Sequence, residues 1–182
     1  MNKLITCFIV MMSFSMISCE VEDSSCSDAE YSTIYDSRDG FASEFADNQS
    51  YNVDSVISLA EAKSKLYDLL KGLTYSQVSA DNHLIRYAVI DNAEQYAPFQ
   101  QFNTVEPEFS DVDFLKEIVI VFDGGILSSA GDYIRIDQVC GKDLVLSYVS
   151  VEEHTLSEFQ LYKMIKINRN NYSIVLKESM ND

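Results

Sequence analysis

The stretch Ile118-Val119-Ile120-Val121-Phe122 decides the fold, because it is an unbroken run of apolar residues that favour strands. Such a run is typical of a strand whose two faces are both buried. It therefore predicts a central strand in a sheet that is covered on each side. The Asp123-Gly124-Gly125 that follows predicts a turn, since glycine tolerates backbone angles that other residues avoid.

Five further segments carry strand patterns. They lie at 84–90, 133–139, 144–151, 159–167 and 172–177. The segments 140–143 and 168–171 predict turns between them, and the second is of the hairpin type because its asparagines tolerate positive φ. Strands that follow one another without a helix pair largely antiparallel, so a mainly antiparallel sheet of about five to six strands is predicted.

The clearest helix pattern covers residues 59–71. Apolar residues recur in it at intervals of three and four, which places them on one face of a helix. Ser58 and Glu61 have the spacing of a capping box at its start, and Gly72 marks its end. These signals together predict an amphipathic helix that packs on the sheet.

A second helix is predicted over residues 92–101. Asp91 is its predicted N-cap, and Pro98 shortens or kinks it because proline lacks a backbone N–H. Two short helices beside a mainly antiparallel sheet give the fold class α+β.

The first nineteen residues have the order of a secretory signal peptide, with Lys3 followed by an apolar run over 4–17. That run is too short to cross a bilayer, which takes about twenty residues. The Met16-Ile17-Ser18-Cys19 ending resembles the lipobox of bacterial lipoproteins, in which the cysteine is acylated and becomes the mature amino terminus. The resemblance implies a signal peptide over 1–18 and a lipid anchor at Cys19 in the bacterial cell envelope, on either face of the outer membrane.

An ordinary signal peptide with an unmodified Cys19 is the alternative. Residues 19–33 are rich in Ser, Asp and Glu, so they predict a flexible acidic tether, and residues 34–182 are predicted to form a single domain. Cys26 and Cys140 can form a disulfide in an oxidising compartment. The alternative is a buried thiol at Cys140 and an exposed one at Cys26.

Charge narrows the choice of partners. The formal net charge is −16, and removal of residues 1–18 takes away Lys3 and no acid, which leaves 12 cationic against 29 acidic side chains, or −17. Such a surface repels the phosphates of nucleic acids. The sequence therefore predicts no nucleic-acid partner and favours partners that are neutral, cationic or bridged by divalent ions.

Motifs for catalysis or metal binding are weak throughout the chain. His83 and His154 lack metal-ligand spacing, and no nucleophile elbow is present. The acids of 106–113 lack the spacing of a calcium loop. We therefore predict no enzyme activity, no metal site and no cofactor, while a hydrolase with two spatially paired carboxylates stays an alternative.

Residues 112–178 resemble the carboxy-terminal domain of the protease-complex subunit PrcB family, with a lead-in from about residue 84. The likeness rests on Asp113-Phe114 before the apolar run, on Gly124-Gly125, and on the 128–136 segment that enters an alternating strand. Asp132 departs from the pattern, because a second glycine is expected there. The resemblance implies a lipoprotein that stabilises an extracellular protease complex and carries no catalytic residues.

A recognition loop is the remaining site prediction, and its residues are Ser128, Ser129, Gly131, Asp132 and Tyr133. The alternative is that Gly131 serves a turn and that Tyr133 belongs to the core. We expect a non-enzymatic envelope lipoprotein, attached to the bilayer through Cys19, that binds or stabilises another protein. Alternatives are a surface lipoprotein that binds a small ligand or glycan, and an inhibitor or immunity protein.

Overall fold

The chain forms two packed β-sheets and a layer of helices in a computed structural model. The structure describes residues 26–38, 59–80, 83–103, 107–109, 111–127, 132–150 and 159–181. Within them, the five strands of the larger sheet are β2 (Tyr31–Asp36), β3 (Ser76–Ala80), β4 (His83–Ile90), β5 (Glu117–Leu127) and β8 (Phe159–Asn168). Their order is β2-β8-β5-β4-β3, and every neighbouring pair is antiparallel.

The smaller sheet has four strands: β1 (Cys26–Asp28), β6 (Tyr133–Cys140), β7 (Asp143–Ser150) and β9 (Ser173–Asn181). Their order is β1-β6-β7-β9. The strands β7 and β9 run parallel, whereas the other neighbours are antiparallel. The α+β class with mainly antiparallel pairing is therefore confirmed.

The helical layer consists of α1 (Leu59–Lys71), α2 (Ala93–Tyr96) and two 3₁₀ helices, Ala97–Phe102 and Pro107–Phe109. The bounds of α1 are those predicted. The N-cap of α2 is Asn92 rather than Asp91, because the Asn92 side chain accepts a hydrogen bond from Gln95 N at 3.0 Å. Pro98 has no N–H for an α-helical hydrogen bond, and the chain tightens into a 3₁₀ helix there.

The strand β5 has a packed layer on each of its faces. Val119 and Val121 join a core with Leu66 of α1, on the helical side. Ile120 and Phe122 alternate with them and join the core between the two sheets. Burial on both faces, predicted from the unbroken apolar run, is confirmed, and the molecule has three layers with the five-stranded sheet in the middle.

Three of the nine described strands carried no clear sequence signal, namely β1, β2 and β3. All three lie at sheet edges, where one face or more is exposed and the apolar pattern is weak. The tether predicted over 19–33 is therefore too long. Ordered structure begins by Cys26, because β1 pairs with β6 and β2 places Ile34 and Tyr35 in the core.

Two predicted turns are wrong and one is confirmed. The chain does not turn at Asp123-Gly124-Gly125, because β5 continues to Leu127 through a bulge in which Gly125 has φ +83°. The segment 168–171 is no hairpin, since β9 leaves β8 and adds Ile174 and Leu176 to the core between the sheets. The 140–143 turn does connect β6 with β7 as a hairpin.

The predicted signal peptide and Cys19 lie outside the described residues. None of the helices in the described part of the chain is long and apolar enough to cross a membrane.

Candidate functional site

Buried charges concentrate at one end of the two-sheet sandwich, which we call the polar end and define by Asp36, Arg38, Asp123, Asp132 and Lys163. Asp36 pairs with Lys163 and Asp123 pairs with Tyr162, so the two acids lie at the same level on strands that flank β8. Within the described residues, the buried polar or charged side chains are Asp36, Asp123, Asp132, Ser147 and Lys163. Four of these five belong to the polar end.

Two aromatic contacts join the sheets at this end. The His83 ring of β4 stacks on the Tyr148 ring of β7 with centroids 4.1 Å apart. The Arg38 guanidinium, just beyond β2, lies 4.6 Å from the centroid of the Tyr133 ring at the start of β6. Arg38 therefore links the edge of one sheet to the other through a cation–π contact.

The Asp36 carboxylate is held between two cations. Its Oδ1 accepts hydrogen bonds from Arg38 N and Nε at 3.1 Å, and its Oδ2 accepts from Arg38 Nη2 at 3.0 Å. The Lys163 ammonium lies 3.4 Å from Oδ2. Burial alone would raise the pKa of Asp36, but the hydrogen bonds and charge of Arg38, with the charge of Lys163, outweigh it and lower that pKa.

The Asp123 carboxylate lies on the helical face of the sheet, where the bulge of β5 begins. It pairs with Arg86, accepts from Gln160 Nε2 at 2.5 Å and accepts from Gly125 N at 2.8 Å. Burial raises the pKa of Tyr162 to about 12, and the charge of Asp123 adds to the effect. Tyr162 therefore stays neutral at neutral pH.

The Asp132 carboxylate faces the space between the sheets. It accepts a hydrogen bond from Tyr148 Oη at 2.9 Å and one from Ser150 Oγ at 3.1 Å. Burial raises the pKa of Tyr148, and its hydrogen bond and charge contact with Asp132 act in the same direction. Asp132, predicted as part of a recognition loop, is 8% exposed and its carboxylate is held by these two hydroxyl groups.

The remaining residues of the predicted recognition loop divide into two groups. Tyr133 is half-buried beneath Arg38, while Ser128, Ser129 and Gly131 lie outside the described residues. Leu127, Asp132 and Ser150 are the described residues that flank segments 128–131 and 151–158 on this side of the molecule. These three points are strand ends at the polar end, so segments 128–131 and 151–158 are both attached there.

The weak histidine and acid motifs of the sequence form no metal-binding group within the described residues. His83 is engaged with Tyr148, and His154 falls outside the described ranges. The Asp113 carboxylate pairs with Lys116 at 3.1 Å instead of joining neighbouring acids. The described part of the chain contains no group of three or more His, Cys, Asp or Glu that could hold a metal ion.

The opposite end of the sandwich, which we call the tether end, comprises Cys26, Cys140, Asp91, the turn 112–116 and Arg169. Cys26 and Cys140 form a disulfide, with an S–S distance of 2.09 Å, that fastens β1 to the end of β6. The predicted pairing of these two cysteines therefore appears in the structure. It joins residues that are 114 positions apart in sequence.

A surface cavity of about 460 Å³ lies at the tether end. The residues that line it include the apolar Val112 and Phe114 and the charged Asp91, Asp113 and Arg169. Arg169 Nη1 donates to Phe114 O at 2.5 Å and to Asp91 O at 3.0 Å, and so fixes the turn 112–116.

Asp36 and Asp123 were not predicted from the sequence as buried acids of the polar end. Asp36 directly follows Ile34-Tyr35, and Asp123 directly follows the apolar run 118–122. An acid directly after apolar strand residues is the sequence signal that could have indicated them. Their convergence depended on pairing between β2, β8 and β5, which no local pattern specifies. No family model, curated protein or solved structure matches the chain.

Proposed function

We propose that this protein is an envelope-anchored lipoprotein without enzymatic activity that binds and stabilises another envelope or secreted protein. An acylated Cys19 attaches it to the bilayer, and no nucleic acid takes part. A secreted protease complex is the partner class to which the resemblance to the PrcB family points.

The observation that carries this proposal is the placement of the two ends. The chain from Cys19 enters the described structure at Cys26, at the tether end. The segments 128–131 and 151–158 are attached at the polar end. The eleven residues of β5 connect the two ends, which corresponds to about 36 Å at the usual strand rise. An anchored domain would therefore present the polar end to partners.

The disulfide supports the location. Disulfides persist in oxidising compartments and are rare in the cytosol. A bond between Cys26 and Cys140 is therefore in keeping with a protein that is exported by a signal peptide.

The polar end has the properties of a rigid support for binding segments. The carboxylates of Asp36, Asp123 and Asp132 are each held by internal donors. Asp132, just before β6, accepts from Ser150 Oγ at the end of β7, and so joins two of the strand ends that flank the segments. Ile126, beside these ends on β5, is 68% exposed. An exposed apolar side chain beside fixed strand ends is a suitable contact for a partner protein.

A pull-down from detergent-solubilised cells tests the proposal, with the lipidated protein as bait and mass spectrometry as the readout. Ile126→Arg should lose the partner because it places a charge in the predicted contact. The matched variant Leu115→Arg changes another exposed apolar residue, at the tether end, and should keep the partner. A Cys19→Ala bait provides the background.

Loss of the partner in Leu115→Arg but not in Ile126→Arg would contradict the assignment of the binding end. If no protein is captured above the Cys19→Ala background, partner binding is overturned. A glycan array with the same protein would then test the ligand-binding alternative.

A further inference from the structure

The ordered domain begins close to the predicted anchor. From Cys19 to Cys26 the chain advances 26 − 19 = 7 residues. A fully extended chain spans at most about 3.5 Å per residue, so the start of β1 can lie no more than about 25 Å from the acylated residue. This reach is shorter than the length of β5, so the anchored domain cannot stand far from the membrane.

The disulfide keeps this reach short. The strand β1 has only three residues, all exposed, and among the described strands β6 is its one neighbour. Such a short edge pairing contributes little by itself, whereas the bond between Cys26 and Cys140 prevents β1 from separating. Without it, the next fixed point is Tyr31, at 31 − 19 = 12 residues, and the reach increases to about 42 Å.

Leu115 is the most exposed of the large hydrophobic side chains at the tether end, at 89%. It lies in the turn 112–116, whose backbone Arg169 holds through Phe114 O. Asp113 pairs with Lys116 at 3.1 Å, and Asp91 lies 3.9 Å from Arg169. The two acids nearest Leu115 in these pairs are therefore each balanced by a cation.

We propose that the tether end is a membrane-contact surface, and that Leu115 enters the headgroup region of the bilayer that holds the anchor. The inference rests on the lipid anchor of the proposed function. The short reach brings this end to the bilayer, and an exposed leucine between neutralised charge pairs suits a zwitterionic lipid surface. The disulfide then sets the orientation of the domain, with the polar end directed away from the lipid.

The chain contains no tryptophan, so a single substitution creates a unique fluorophore. Leu115→Trp reports on the tether end, and Ile126→Trp is the matched control at the polar end, because both positions are exposed and apolar. Each full-length, lipidated variant is reconstituted into phosphatidylcholine vesicles with acyl chains brominated near the headgroup. Emission is compared with that in unbrominated vesicles.

We expect emission from Leu115→Trp to fall at least about two-fold, because interfacial contacts lie about 5–10 Å into the headgroup boundary. Emission from Ile126→Trp should stay unchanged. Adding Cys26→Ser and Cys140→Ser to Leu115→Trp should reduce the quenching, since the longer reach lets the end leave the surface.

Vesicle flotation and the intact mass of the protein distinguish failure of the membrane-contact surface from failure of the lipid anchor. If the protein is acylated and floats with the vesicles but both tryptophans are quenched equally or not at all, the membrane-contact surface is overturned and the anchor stands. If Cys19 carries no acyl chains and the protein does not float, the anchor itself is overturned, and the membrane-contact surface with it.

Discussion

The two ends of the sandwich are held together by different means. At the tether end, the Cys26–Cys140 bond joins strands covalently and the charged pairs are largely exposed. At the polar end, Asp36 and Lys163 are only 3% and 9% exposed in their side chains, and they join β2 to β8 through charge. Buried ion pairs need complete partners, whereas exposed ones contribute little. The comparison therefore predicts different sensitivities to substitution, reduction and pH.

The largest effect should come from removal of the covalent link at the tether end. A disulfide stabilises mainly by restricting the unfolded chain, and a loop between residues 114 positions apart corresponds to about 5 kcal/mol. We expect the variant with Cys26→Ser and Cys140→Ser to lose about that amount in urea unfolding. The wild-type protein under reducing conditions should match the variant. Equal stability of oxidised and reduced protein would show that the closed loop is not what holds this end.

The second effect should come from Asp36→Ala at the polar end. The substitution leaves the Lys163 ammonium buried without its carboxylate, and breaking a buried pair costs about 3 kcal/mol. The matched variant Asp113→Ala removes an acid from the exposed pair with Lys116 and should shift the urea midpoint far less. Similar shifts in the two variants would remove the distinction between the ends.

The sequence predicted those parts of the fold that depend on local periodicity. The apolar run 118–122 indicated a strand with two covered faces, and the leucine spacing of 59–71 indicated α1 with its observed bounds. It did not predict β9, because the asparagines of 168–171 favour a hairpin locally while Ile174 and Leu176 gain burial between the sheets. Burial over a whole strand outweighed the preference of a short turn.

The candidate site was less predictable than the fold, because it depends on contacts between segments that are far apart in sequence. The cysteine pair could be proposed by counting, since only Cys26 and Cys140 remain after the signal and the anchor are removed. The cluster of Asp36, Asp123 and Asp132 joins three segments that are far apart in sequence. Each acid alone is an ordinary polar residue in or beside a strand, and only the strand order places all three at one end.

The third effect is the loss of folding stability at low pH. It is the smallest of the three at neutral pH, and it gives the sharpest test of the comparison between the two ends. The pKa values of Asp36 and Asp113 are both lowered from the ordinary 3.8, but for different reasons. For Asp36, the hydrogen bonds and charges of Arg38 and Lys163 outweigh burial. For Asp113, the leading cause is its hydrogen bond with Lys116, in a side chain that remains in contact with water.

The sign of the effect follows from proton binding. A carboxyl with a lower pKa in the folded state than in the unfolded state stabilises the fold fully above about pH 4, and this contribution is lost as the pH falls through the folded-state value. Urea unfolding of the wild-type protein between pH 7 and pH 3 should therefore show a loss of stability below about pH 4. Asp36→Asn should flatten that loss, while Asp113→Asn should leave it nearly unchanged.

Salt separates the two ends further. At about 1 M salt the screening length is about 3 Å, so the exposed Asp113–Lys116 pair loses its influence, whereas the buried Asp36–Lys163 pair is screened much less. The acid-induced loss assigned to Asp36 should therefore persist in high salt. If high salt abolishes it in the wild-type protein, the Asp36 carboxylate is accessible to ions, and the polar end is held by the same weak surface pairs as the tether end.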